Sequence, residues 1–367
     1  MKIFIILSIC VLFNNYIYCQ ALMEVNTDSR SYGLANIGVV AASDYYETGL
    51  TQNPALLSRN EKVAGVLSSL INPAIGIPDY ILDIGIYHSL NEKMTLGFSY
   101  KYMSWGELFF MDHMGNYYQM PLSKEINYGL IYSYSINSNL SVGIGLEYIY
   151  IDMLSDVQPF VQVYPAKALA ADFGIDYRNK IKMNENKYLR YDFGASILNI
   201  GNKMKYCDTL NAEFLPAIIK LGTMWTYVNK GKENTTYNLD IAYQIEKLLT
   251  PSYINGISPY YSVPSSLWHS FSDSPDGFKG ELSEINHLFG IENRFIFNNK
   301  FSFSFRLGHM KHLVLNGIGI TYKFIYLDYS YIIMNKKYSF NNDSKYIFTI
   351  GGILDPCLTL GIRKTFE

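Results

Sequence analysis

Charge is scarce in this chain. Lys, Arg, Asp and Glu make up 17 % of its 367 residues, against roughly 25 % in soluble domains, too little to dress an ordinary soluble surface of this size. The charge that is present nearly cancels, to a formal net of −2 with no basic block. No long-range field therefore draws in a phosphate backbone, which excludes nucleic-acid binding. Cysteine is equally thin. Of four, two lie near the start, and the other two, Cys207 and Cys357, are a distant pair whose spacing dictates neither a disulfide nor a metal site. Long apolar runs are missing as well: beyond the first twenty residues no stretch approaches the roughly 18 apolar residues of a membrane-spanning helix. Yet 49 % of the chain is hydrophobic, with 33 Tyr and 21 Phe, so the apolar excess needs another explanation.

The first residues explain themselves. Lys2 precedes an apolar run, Ile3 to Phe13, followed by the more polar "NNYIYCQA", the pattern of a secretory signal over residues 1–20. Cleavage after Cys19 and cleavage after Ala21 both fit. A lipoprotein-type site is disfavoured, because Cys19 follows Ile-Tyr and not small residues.

Period two accounts for the rest. In "KFSFSFRLGHM", Phe301, Phe303, Phe305 and Leu307 alternate with Ser302, Ser304, Arg306 and Gly308. "LSVGIGLEYIY" from Leu140, "MTLGFSYKY" from Met94, "YNLDIAYQ" from Tyr237 and "YDFGAS" from Tyr191 repeat the arrangement, which marks half-apolar strands. A secreted β-sandwich also alternates. Here, however, many runs continue for ten or more residues, the length a tilted strand needs to cross a bilayer, and the second face carries Gly, Ser, Lys, Asp and Glu. Short turn-like links after Leu90, Ile136 and Phe297 alternate with long ones, Ser104 to Lys124, Asp152 to Pro165, Gly201 to Phe214 and Glu246 to Leu282. Short periplasmic turns and long outer loops are the outer-membrane pattern. The expected fold is all-β: a transmembrane outer-membrane barrel of about fourteen antiparallel strands over residues 61–367. At its end, Asp355-Pro356 reads either as a turn between two strands or as the start of a tail.

Residues 21–60 lack this alternation. They are rich in small residues and end in Asn53-Pro54-Ala55, and Leu34, Ile37, Val39 and Val40 are too apolar for a disordered tail. A wide barrel has a lumen to fill, so the segment reads as a plug inside it.

A search for chemistry runs nearly empty. The His residues are 88, 113, 269, 287, 309 and 312. Only His309 and His312 are close, on a short connection, with no clustered carboxylate or Cys; no metal and no cofactor is expected. Ser270 beside His269, with Asp273 near, imitates a hydrolase cluster, but neighbours on one loop rarely converge and no nucleophile elbow is present. Asp273 and Asp276 flank a Pro-Asp-Gly turn, where Asp has a local backbone role. No catalytic residue is assigned and no enzyme is expected. The Gly143–Gly145 and Gly317–Gly319 pairs sit on alternating strands and are not phosphate loops.

Several stretches carry a family likeness: "NPALLSRN" at Asn53, "SWGELFFMDHMGN" from Ser104, "LNIGNKMKY" from Leu198, "LPAIIKLG" from Leu215, "KLLTPSY" from Lys247 and "SFSDSPDGFKGELSEI" from Ser270. With the small-residue segment and the barrel they resemble the FadL-like fatty-acid transporter architecture and, within it, the PorV family of the type IX secretion system of the Bacteroidetes. Two departures stand out: Tyr32 to Gly38 replaces the family's Gly-Met-Gly type run, and the stretch after Gly352 aligns poorly with its short ending. The resemblance implies an integral outer-membrane protein, exported by a Sec-type route, that acts as a non-enzymatic shuttle. It would receive cargo C-terminal signal domains at a very large SprA/Sov-like translocon pore subunit and hand them to a PorU-like sortase and attachment complex, amid membrane lipid and lipopolysaccharide. The partner-binding residues expected on outer loops are Trp105, Trp268, Phe271, Asp273, Pro275, Asp276 and Phe278, with Glu281 and Glu284 completing a negative rim. A FadL-like channel for hydrophobic small molecules is the alternative from another class, and a lipid-modifying enzyme using Ser270 and His269 is a third.

Overall fold

The computed structural model describes residues 26–40, 47–59, 63–72, 79–104, 107–111, 117–121, 124–152, 164–207, 212–232, 234–251, 261–298, 300–311, 313–323, 325–334 and 353–364. The signal segment, Trp105 and His312 lie outside them.

The strands run in chain order as β1 Val63–Asn72, β2 Asp79–Ser89, β3 Met94–Ser104, β4 Glu107–Met111, β5 Tyr117–Pro121, β6 Lys124–Ser135, β7 Leu140–Asp152 and β8 Ala166–Lys182. They continue as β9 Lys187–Gly201, β10 Ile218–Lys230, β11 Thr236–Leu248, β12 Asn286–Phe297, β13 Phe301–Met310, β14 Leu313–Tyr322, β15 Ile325–Met334 and β16 Ile353–Lys364. Fourteen of them form a closed antiparallel barrel, and β4 with β5 forms a separate two-stranded hairpin in the link between β3 and β6. Closure comes from β1, which pairs Val63 with Lys364 of β16 on one side and with His88 of β2 on the other. A closed ladder pairs the wall's backbone groups from strand to strand with no open edge, which is the condition for crossing a bilayer with strands.

The period-two sequences sort as expected. Phe303, Phe305 and Leu307 face outward, exposed at 38–47 %, while Ser304 and Arg306 face inward, nearly inaccessible. The links after β2, β6, β8, β10, β12 and β14 are short and share one end of the barrel; the other end carries the long links β3–β6, β7–β8, β9–β10 and β11–β12, together with the short step from Met310 of β13 to Leu313 of β14.

The last strand corrects the reading of Asp355-Pro356. β16 runs straight through both residues, so they are neither a turn nor the head of a tail. Proline has no N–H for the ladder, and the register against β15 slips at this point: Ser330 pairs with Cys357 but Ile332 with Leu354. The fourteenth strand thus tolerates its proline through an irregularity in pairing.

Inside the wall lies the N-terminal segment, folded as a short helix, α1 Ser29–Gly33, and two 3₁₀ turns, Glu47–Leu50 and Pro54–Arg59. Leu34, Ile37, Val39 and Val40 are fully buried against Met224, Ala242, Leu288 and Leu315 of four strands. Leu50 and Leu57 pack on Tyr87 and Ile131 across the lumen. Apolar side chains on the plug therefore meet the few apolar side chains on the inner face, and burial of this kind contributes about 1.5–3 kcal/mol per large side chain.

Candidate functional site: a filled lumen and a helical flap

The Asn53-Pro54-Ala55 motif has a specific structural task. Asn53 Nδ2 donates to the carbonyl of Val39 at 2.7 Å within the plug and to that of Ile175 on β8 at 3.1 Å, while its Oδ1 accepts from the Ala55 N–H at 3.1 Å. One side chain thus ties two parts of the plug to the wall. Pro54 opens the second 3₁₀ turn, where a missing N–H costs nothing. The wall makes room with glycine. A Cβ at Gly143 would collide with the Pro54 backbone, and one at Gly174 with Asn53 Oδ1. Beyond the motif, Ser58 N–H donates to Ser133 Oγ, and that hydroxyl donates to the Ala55 carbonyl, both at 3.0 Å.

Charged pairs fasten the two ends of the plug. Arg30, 1 % exposed, meets Glu292 of β12 at 2.5 Å. Glu292 also accepts from Arg306 of β13 at 3.0 Å, and Arg306 reaches Asp328 of β15 at 2.6 Å. At the far end Arg59 pairs with Asp176 of β8 at 2.9 Å. Gln244 Oε1 accepts from the Gly38 and Val39 N–H groups midway. Ions buried this deeply are tolerable because each is matched by opposite charge and hydrogen bonds. A polar cavity remains between plug and wall, lined by Thr51, Ser99, Lys101, Asn127, Glu147, Asn199 and, as its one apolar member, Leu198.

The long-link end adds a cover. Met204, Tyr206 and Leu215, from the link between β9 and β10, pack inward on Ile149, Ile151 and Ala166 at the inner face of β7 and β8. The described residues of this link are therefore part of the barrel's packing, which spacing alone does not reveal.

The stretch from Trp268 to Ile285 is ordered and largely helical: α2 Val263–His269 and α3 Gly277–Glu284 form a flap between β11 and β12. Ser262 caps α2 by accepting from the Ser265 N–H, with Pro264 in its first turn. Gly277 begins α3 with φ +60°, a conformation that glycine takes at no steric cost and that fits the Pro275-Asp276-Gly277 sequence. Trp268 and Phe278 stand out at 80 % and 79 % exposure, with Phe271 at 49 %; Pro275 and Asp276 are exposed and Asp273 is half-buried.

Glu281 is a correction. Expected on a negative rim, it is instead 9 % exposed, accepting from the Ser274 N–H at 2.8 Å and pairing with Lys247 of β11 at 3.0 Å. Burial alone would raise its carboxyl, but the Ser274 N–H and the Lys247 ammonium outweigh burial and hold it below its ordinary value. Glu284 joins the same lysine at 2.5 Å. The imitation hydrolase cluster also dissolves: Ser270 Oγ donates to the Leu267 carbonyl at 2.8 Å, and His269 stacks on Tyr261 with ring centroids 4.1 Å apart. His309 lies on β13 and not on a connection. The acidic trio Asp273, Glu281 and Glu284 comes together, but Lys247 already supplies its cation.

A family model described as "Type IX secretion system protein PorV" matches residues 16–255. The chain belongs to the PorV family. No curated protein sequence matches this PorV-family chain. Among solved structures it is similar to the Pseudomonas putida toluene transporter TodX, with 10 % identity, 92 % of this chain and 98 % of that one covered, and a TM-score of 0.46. A Pseudomonas aeruginosa FadL homologue shows 10 % identity over 92 % and 97 % of the two chains, with a TM-score of 0.43. LpxR from Salmonella typhimurium shows 9 % identity over 82 % and 98 %, with a TM-score of 0.37. What assigns this PorV-family member to the type IX secretion system is the family match.

Proposed function

We propose that this PorV-family barrel is a docking shuttle and not a conduit: it receives cargo C-terminal signal domains at the SprA/Sov-like translocon pore subunit and delivers them to a PorU-like sortase and attachment complex. The chain reaches the outer membrane by a Sec-type route, its first 20 residues serving as the signal. The observation that carries this reading is the filled lumen. A plug fastened by Arg30–Glu292 at one end and Arg59–Asp176 at the other leaves folded cargo no path through the barrel, so recognition falls to the long-link end.

There the flap offers an apolar crest, Trp268, Phe271 and Phe278, beside Asp273, Pro275 and Asp276. Exposed aromatics of this kind make anchors in protein interfaces, and the acids bias partner choice by charge. Trp105, in the link between β3 and β6, belongs to the same set. Hydrophobic small molecules would need an apolar passage, whereas the inner face carries ion pairs and a polar cavity. The test is affinity purification of the tagged barrel from detergent-solubilised membranes. Recovery of a very large pore subunit, a sortase or cargo with its C-terminal domain supports the shuttle, and recovery of the barrel alone under crosslinking opposes it.

A further inference from the structure

Lys247 is out of place by its parity. On β11 the outward positions are Tyr237, Leu239, Ile241, Tyr243 and Ile245, and Lys247 continues that series, pairing with Ile219 of β10. Ile241 is 51 % exposed on this face, yet Lys247 is 5 % exposed. The flap covers it. Its Nζ lies 3.0 Å from Glu281 and 2.5 Å from Glu284, both on α3, and 5.9 Å from the centre of the Phe271 ring. Glu281 in turn accepts the Ser274 N–H, which ties the segment between α2 and α3 to the same point. A lysine at the lipid-side end of a strand would ordinarily reach toward water; this one is enclosed by two carboxylates and an aromatic face from a single loop.

We infer that Lys247 is the latch that fixes the helical flap to the outer rim of the wall, a positioning residue that sets where Trp268 and Phe278 are presented. The flap's attachment by this side chain stands on the geometry alone; that the posture matters for partner capture rests on the docking reading above. With one cation serving two acids, loss of Lys247 removes the attachment and leaves Glu281 buried without its counter-charge, a loss out of proportion to one surface contact. Two carboxylates closing on one ammonium also give the latch a geometric preference: an arginine fork can bridge the same pair, whereas a methionine of similar length cannot.

The experiment is hydrogen–deuterium exchange on the full chain in detergent, read for residues 263–285 and, as an internal reference, for β10 and β11, together with capture of partners from solubilised membranes. Lys247→Met is expected to speed flap exchange at least tenfold with the reference strands unchanged and to reduce partner capture, while Lys247→Arg keeps both near wild type. Glu284→Gln, a change at an exposed acid that leaves the buried Glu281–Lys247 pair in place, is expected to give a smaller acceleration and serves if Lys247→Met fails to fold. Accelerated exchange with undiminished capture upholds the latch and removes the flap from the docking surface. Flap exchange unchanged in Lys247→Met, or in Glu284→Gln where that variant stands in for it, overturns the inference.

Discussion

Arg30 and Glu292 are 262 residues apart in sequence and 2.5 Å apart in space, both essentially inaccessible to solvent. The pair joins the first helix of the plug to the middle of β12, and Arg306 shares the same carboxylate from the next strand. Removing Arg30 leaves Glu292 with a diminished counter-charge. Arg306 and Arg294 still face Glu292 at 3.0 and 3.5 Å, so Arg30→Ala is expected to cost less than the about 3–5 kcal/mol of a buried charge left wholly unpaired. A lowered midpoint of thermal unfolding in detergent, with earlier tryptic release of the plug, is the expected result.

Gly174 makes a steric prediction. Its missing side chain is the space that Asn53 and Pro54 occupy. Gly174→Val is expected to displace the plug while leaving the ladder of β8 intact, because a valine suits a strand. Planar-bilayer recordings are expected to show conductance rising above that of the wild type. An equally silent variant would argue that the plug does not seal the lumen.

Asn53→Ala removes three hydrogen bonds, including the one to Ile175 on the wall. A loss of about 1–3 kcal/mol is expected, set by the buried carbonyls left without a donor. Denaturant titration of the purified barrel measures it.

Acid is expected to loosen the flap before the barrel. The folded-state value of Glu281 is depressed below its ordinary 4.5, so its contribution is complete above about pH 4.5 and is lost as pH falls through the lowered value. Protease sensitivity of residues 263–285, compared at pH 7 and pH 3, is expected to rise on acidification. Glu281→Gln is expected to be sensitive at both pH values.

The wall was legible in the sequence because lipid and plug impose opposite demands on alternate residues, as Phe305 beside Arg306 shows. The plug was legible from Leu34, Ile37 and Val39, apolar residues outside any alternation. The pairings were not: a buried arginine in the plug segment looks the same in sequence as a solvated one, so neither Arg30–Glu292 nor Arg59–Asp176 could be foreseen. Gly143 was read as one face of a strand, and only the close approach of Pro54 shows what the missing side chain admits. On the flap, acidic residues in a polar stretch suggested a rim. Lys247, some 34 residues before Glu281 in the chain, turned one of them inward. Asp355-Pro356 misled because a proline in a final strand is tolerated only with a slipped ladder, which spacing does not reveal.

Secretion itself tests the central claim most directly. In a strain lacking this chain, cargo that retains its C-terminal domain is to be quantified in the periplasm and at the cell surface, with complementation by wild type and by Trp268→Ala/Phe278→Ala. Both substituted side chains are about four-fifths exposed, so the double variant is expected to fold with stability within about 0.5 kcal/mol of wild type. The docking account predicts stranded cargo in the deletion strain, rescue by wild type and poor rescue by the double variant. Normal display of processed cargo in the deletion strain would contradict it.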